Sequence, residues 1–199
     1  MPDSDGDGIG DACDPCTNTG AIFVTRGRLI LKKLDTPPGD DRLRFKGELQ
    51  LTYPFNPPLD PLTRGIRFLI HDALGTQVLD TTIPGGAFDL ATQEGWSKRT
   101  DGNVFIYRHT GEIVPLIDGV KKVVIRNQSN RSPGLLKFVL VGRNGSYGVA
   151  PANIPIRVTV VIDPPVAMTG QCAEAVFPGP PPLVPTCTMA PDGSVLICR

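Results

Sequence analysis

Residues 42–51 alternate without interruption, with Arg42, Arg44, Lys46, Glu48 and Gln50 on one side and Leu43, Phe45, Gly47, Leu49 and Leu51 on the other. Successive side chains of a strand point to opposite faces, so this run describes a β-strand with one wet face and one buried face. A helix would scatter the same leucines around its circumference. The chain must therefore supply a second apolar surface to cover Leu43, Phe45 and Leu49, which selects a layered β architecture.

Further strands are expected over 22–34, 65–71, 77–83, 95–98, 104–109, 120–126, 135–141 and 156–163, each rich in β-branched and aromatic residues. Turn signals separate them: 37–41 (Pro-Pro-Gly-Asp-Asp), 84–86 (Pro-Gly-Gly), 100–102 (Thr-Asp-Gly), 144–145 (Asn-Gly) and 163–165 (Asp-Pro-Pro). No stretch has a convincing 3.6-residue period. The expected fold is all-β, an antiparallel β-sandwich of immunoglobulin-like or jelly-roll-like type. A hydrophobic fraction of 40% over 199 residues is enough for a core that does not depend on disulfides. The 135–141 run is apolar on both faces, as suits a central strand covered by loops or by another subunit. No apolar run approaches the roughly 18 residues of a membrane-spanning helix.

The amino end has a different chemistry. Asp3, Asp5, Asp7, Asp11 and Asp14 lie within its first 14 residues, which contain no Lys or Arg. The formal net charge of zero therefore hides an acidic strip on a mildly basic body, and it argues against a nucleic-acid partner. Set against a twelve-residue calcium loop, these carboxylates fall at positions 1, 3, 5, 9 and 12. Gly8 takes position 6, where the chain turns sharply, and Ile9 at position 7 offers its carbonyl. Calcium is a hard cation that takes 6–8 oxygens, and alternate aspartates converge when the loop curls round it. The expected metal ligands are Asp3, Asp5, Asp7, Ile9, Asp11 and Asp14, with Ca2+ as the bound ion; a solvated acidic linker is the competing reading. No helical flanks accompany the loop, so it is not an ordinary EF-hand.

The run Asp-Ser-Asp-Gly-Asp-Gly-Ile-Gly-Asp-Ala-Cys-Asp-Pro-Cys over residues 3–16 resembles a thrombospondin type 3 repeat. The resemblance implies an extracellular, calcium-loaded, disulfide-tied segment of a kind that usually stands in tandem arrays. This chain has one such repeat, so Cys13 or Cys16 lacks the neighbouring repeat to which family cysteines tend to be linked. An array often precedes a β-sandwich, and the body from residue 22 is loosely similar to C-terminal sandwich domains of secreted bacterial proteins. The expected organisation is a calcium-binding segment over 1–20, a sandwich over 21–170, and a Pro-rich tail with a Cys-closed hairpin over 171–199.

Five cysteines, Cys13, Cys16, Cys172, Cys187 and Cys198, all occupy the end segments. Such placement reads as stapling in an oxidising compartment, and the odd number leaves one without an internal partner. Residues 187–198 read as a hairpin turning at Asp192-Gly193. A two-residue turn sets Cys187 directly opposite Cys198, whereas a type I turn with Gly193 in the left-handed region sets them diagonally. Either register permits a Cys187–Cys198 disulfide; the pairing of Cys13, Cys16 and Cys172 is open. The start Met-Pro-Asp-Ser-Asp lacks the basic and apolar regions of a secretory signal. Export would thus place this numbering downstream of a signal or inside a longer precursor.

Catalytic signatures are sparse. His71 and His109 end strands without a Gly-x-Ser-x-Gly elbow, and read as polar strand-end residues. Cys13-Asp-Pro-Cys16 lacks the βαβ setting of a redox pair and a second pair for zinc. Asp40-Asp41 read as a turn, and Trp96, Phe105 and Tyr107 as core rather than a sugar-stacking platform. Asn127, Asn130 and Asn144 head N-glycosylation triplets. The chain is expected to be a non-enzymatic, extracellular, calcium-stabilised structural protein that self-assembles as a homo-oligomer or polymer into a filament, tube or surface layer. The alternative is a calcium-dependent module for carbohydrate or cell-surface adhesion, using loops such as 53–63 or 87–94. Titration of the intact protein with calcium is expected to register binding heat in a calorimeter; a flat titration would remove the metal-loop reading.

Overall fold

The computed structural model describes residues 2, 10, 14–17, 25–164, 171–177 and 186–199. In chain order its strands are β1 (Thr25–Lys32), β2 (Asp41–Gln50), β3 (Ile66–His71), β4 (Gln77–Ile83), β5 (Glu94–Lys98) and β6 (Val104–His109). They continue with β7 (Val120–Asn127), β8 (Leu135–Gly145), β9 (Ile156–Val161), β10 (Cys172–Phe177), β11 (Cys187–Met189) and β12 (Val195–Cys198). A one-turn helix, α1 (Pro61–Arg64), precedes β3. The strands form two antiparallel sheets, one of eight in the order β11-β12-β1-β2-β8-β7-β6-β5 and one of four in the order β10-β9-β3-β4. The β-sandwich expected from the alternation is the observed fold.

The inner faces meet in one apolar core. Strand β2 keeps the predicted alternation, burying Leu43, Phe45 and Leu49 while Arg42, Arg44 and Lys46 face water. Phe45 stands edge-on to Phe138 of the neighbouring β8, with ring centroids 4.8 Å apart, and to Phe68 of the small sheet at 6.5 Å. These T-shaped contacts place the positive edge of one ring against the negative face of another, and they span the gap between the sheets. Trp96 and Tyr107 are buried as expected, with centroids 5.6 Å apart, and the Trp96 indole N–H donates to the Pro84 carbonyl at 2.8 Å.

Two turns share one construction. In the 99–104 and 190–195 loops, Gly102 (φ 72°) and Gly193 (φ 76°) take the left-handed conformation that only glycine adopts without cost. In each loop the preceding aspartate accepts a hydrogen bond from the N–H two residues ahead, Asp101 from Asn103 at 3.0 Å and Asp192 from Ser194 at 2.9 Å. The second loop resolves the hairpin register. Cys187 is directly opposite Cys198, yet Gly193 is left-handed, because the loop holds four residues between Ala190 and Val195 rather than two. The Cys187–Cys198 disulfide is present, and β12 pairs with β1, so the hairpin extends the large sheet.

The Asn144-Gly145 turn signal needs correction. Strand β8 runs through it to Gly145, pairing Arg143 with Arg42 and Gly145 with Asp41. Asn144 is the extra residue of a bulge, at φ 59°, a conformation that asparagine tolerates better than most side chains. The bulge brings Tyr147 back under the sheet: its N–H donates to Asp41 Oδ2 at 2.6 Å and its hydroxyl to the Asp118 carbonyl at 2.7 Å. Strand β10, read in sequence as the start of a tail, pairs along its length with β9.

A second disulfide joins Cys16 to Cys172 at the start of β10. The two bridges span sequence separations of 156 and 11 residues. Because a longer loop loses more freedom when closed, the chain-entropy model assigns about 5 kcal/mol to the first and about 3 kcal/mol to the second. Urea unfolding of Cys16→Ser/Cys172→Ser against Cys187→Ser/Cys198→Ser checks this; the first double variant is expected to lose more.

Candidate functional site

The described part of the acidic strip is held against the small sheet. Along β3, Phe68 and Ile70 enter the main core, and Leu69 points to the opposite, outer face. Leu69 and Val161 form a small apolar cluster there with Cys16 and Cys172, all at most 3% exposed. The disulfide thus lands the described end of the strip, Asp14 to Cys16, on the outer surface of the four-stranded sheet. Asp14, itself 1% exposed, accepts the Cys16 N–H through Oδ1 at 2.8 Å, and its own N–H donates to the Gly10 carbonyl at 3.2 Å. An aspartate that accepts the N–H two residues ahead closes an Asx turn, which fixes the direction in which the strip enters the bridge.

Of the expected metal ligands, Asp14 is the one so placed; Asp3, Asp5, Asp7, Ile9 and Asp11 lie outside the described residues, as does Cys13. Among the described residues there is no cluster of three or more His, Cys, Asp or Glu side chains suited to a metal. The Asp40-Asp41 pair does not act as a unit. Asp40 turns to Lys33 Nζ at 2.6 Å and to Thr36, whose hydrogen bonds hold its carboxyl below the usual value. Asp41 points inward, where burial pushes its carboxyl up against the opposing effect of the Tyr147 N–H.

The two histidines occupy strand ends in different settings. His109 is 1% exposed. Its Nε2 bonds the Val114 carbonyl at 2.8 Å, which as an acceptor requires an N–H there, and its Nδ1 lies 3.7 Å from Glu94 Oε1. The same carboxylate oxygen accepts the Tyr107 hydroxyl at 2.7 Å, so the group ties β5 to β6 at the edge of the large sheet. Burial in a strand end, rather than exposure there, was not legible from the isolated Tyr-Arg-His-Thr sequence.

His71 is half-buried and pairs across strands with Arg157. Together with Asp72, Ala73 and Gly75 they line a cavity of about 300 Å³. Burial would raise the Asp72 carboxyl, but hydrogen bonds from Asn153 Nδ2 at 2.7 Å, Thr76 N–H at 2.8 Å and Leu74 N–H at 2.9 Å outweigh it and hold the group low. A carboxylate committed to three donors holds the 72–76 turn in place. Another cavity, of about 430 Å³, opens between β4 and residues 144–147, with Asp80 and Asp118 in its wall. Asp80 is engaged there by Arg67, whose Nε and Nη2 both donate to its carboxylate at 2.7 Å.

The 87–94 and 53–63 loops are held differently. Residues 87–94 fold back on β5, with the Phe88 N–H donating to the Trp96 carbonyl and the Asp89 N–H to Glu94, both at 2.8 Å. The 53–63 loop presents Tyr53, half exposed and edge-on to Phe55 at 5.6 Å. None of the described helices is long and apolar enough to cross a membrane. Family models, curated proteins and solved structures yield no match to the chain.

Burial lowers the His71 imidazole, with Asp80 raising it and Arg157 and Arg67 lowering it further, so the unfolded chain binds this proton more readily than the folded one. Stability attributable to His71 is therefore complete above about pH 6.5 and is lost as pH falls toward the depressed folded value. Urea midpoints between pH 8 and 5 are expected to decline for the wild type and to decline less for His71→Gln.

Proposed function

We propose that this chain is a secreted, calcium-stabilised structural module that builds an extracellular assembly and performs no catalysis. The observation that carries the reading is the covalent landing of an Asp-rich strip on the outer face of a rigid sandwich through Cys16 and Cys172. A short strip of carboxylates repels itself in the absence of a cation, and a calcium ion held by Asp3, Asp5, Asp7, Ile9, Asp11 and Asp14 would turn it into a defined docking element. The resemblance of residues 3–16 to a thrombospondin type 3 repeat supports the same role. Two disulfides are the usual chemistry of an oxidising, extracellular setting.

Assembly draws support from two features. Four of the five cysteines pair with each other, so Cys13, outside the described residues, has no cysteine left to bond within this chain and would pair with one of another. Among the described residues the sheets also end in the strands β11, β4 and β10, while β5 is covered by residues 86–89, and edge strands offer unpaired backbone groups to neighbours. Contacts between unlike surfaces do not close into a ring by necessity and propagate into filaments or tubes. Sedimentation and electron microscopy in millimolar calcium are expected to show polymers that disperse in EGTA. Monomers that persist in calcium would overturn the assembly.

A further inference from the structure

Opposite the face that carries the strip, the outer face of the eight-stranded sheet is a lattice of cations. On β2, Arg42, Arg44 and Lys46 all point outward and are exposed. Lys32 of β1 stands directly across from Arg42 and Arg28 across from Lys46. On the other side of β2, Arg143 of β8 is the partner of Arg42. Further along the sheet Arg126 of β7 faces Lys137 of β8, and Lys122 faces Arg108 of β6. Like charges set directly opposite one another in a sheet repel, yet this face sets them so in several rows. Among its described strand residues the one carboxylate is Glu48, and Lys137 Nζ already engages it at 2.5 Å. Among the described residues no carboxylate comes within ion-pair distance of Arg42, Arg44, Lys46, Lys122, Arg126 or Arg108. Side chains two apart on a strand are about 7 Å apart and strands lie about 4.8 Å apart, so the lattice covers roughly 13 Å by 19 Å.

We propose that this face docks an acidic polysaccharide, laid across β1, β2, β8, β7 and β6 and held by Arg42, Arg44, Lys46, Lys122, Arg126 and Arg108. Charge complementarity selects an extended polyanion, because the cations are spread over five strands rather than gathered round one point. The relief of like-charge repulsion on binding adds to the attraction. The surface between the cations is formed by Ile30, Val124, Val139 and Val141, with a shallow groove of about 270 Å³ between Lys46 and Arg126. Among the described residues this face carries no aromatic ring, so it lacks the stacking platform that single-stranded nucleic acid and neutral sugars use. Among the described residues none of the prominent exposed apolar side chains, Tyr53, Leu74, Leu90, Ile113 and Val176, belongs to it, so no described residue there anchors in a lipid bilayer. A second copy bringing the same face would meet cations with cations. The binding does not involve the described end of the acidic strip, which the Cys16–Cys172 bridge holds on the outer face of the other sheet.

Heparin and polygalacturonate serve as sulfated and carboxylated probes, with dextran as the neutral control, and duplex DNA and phosphatidylserine vesicles as competitors. Calorimetry in EGTA is expected to show binding to both acidic polysaccharides, none to dextran, and affinity that falls steeply with salt through counterion release. The exposed triple variant Arg44→Gln/Lys46→Gln/Arg126→Gln is expected to bind at least tenfold more weakly, with an unchanged circular dichroism spectrum and melting temperature. Asp5→Asn/Asp7→Asn is expected to bind as the wild type does, which separates this surface from the calcium-dependent assembly. Unweakened binding by the folded triple variant, tighter binding to DNA or vesicles than to either polysaccharide, or no binding to either polysaccharide would overturn the proposal.

Discussion

Phe45 holds the two layers of this protein in relation to each other. Its ring is fully buried, edge-on to Phe138 beside it in the large sheet and to Phe68 across the interlayer gap. Because side chains alternate strictly along a strand, seating Phe45 inward also seats Leu43 and Leu49 inward and sends Arg42, Arg44 and Lys46 outward. A one-residue slip would drive three cations into the core and expose the aromatic cluster. The chemistry of the large sheet's outer face is thus a direct consequence of how its inner face is packed.

That packing also separates the two surfaces on which the proposed functions rest. The small sheet turns Phe68 and Ile70 toward the core and presents Leu69 and Val161 on its far side, where Cys16 and Cys172 close over them. The described end of the acidic strip, from Asp14 to Cys16, therefore lies on one outer face while the cation lattice occupies the other. On the proposed reading, unlike opposite faces would suit the module to chains of contacts and to bridging between a partner module and an anionic matrix, with each surface under its own electrostatic control. Calcium would act on the first and ionic strength on the second.

Several polar groups inside the sandwich hold its edges and turns. Glu94 serves Tyr107 and lies beside His109, Asp72 collects three donors, and Asp41 takes the Tyr147 N–H. These groups satisfy backbone and side-chain donors that the bends between strands would otherwise leave buried and unpaired, which is costly in a low-dielectric interior.

Much of the strand layout was legible in the sequence because it rests on local rules: period-two alternation for β2, and Asp-Gly loops for the turns before Val104 and Val195. The Cys187–Cys198 bridge belongs to the same class, since its partners are brought together by one short hairpin. Burial of Trp96, Phe105 and Tyr107 could also be expected, because a sandwich of this composition needs its few aromatic rings inside. The Cys16–Cys172 bridge, the pairing of β10 with β9 and the bulge at Asn144 were decided only by tertiary structure. So was the conversion of scattered Lys and Arg residues into one lattice. Each of these depends on which distant strand lies alongside, and the free energy that selects a neighbour comes from burying whole faces together, which no local window of residues contains.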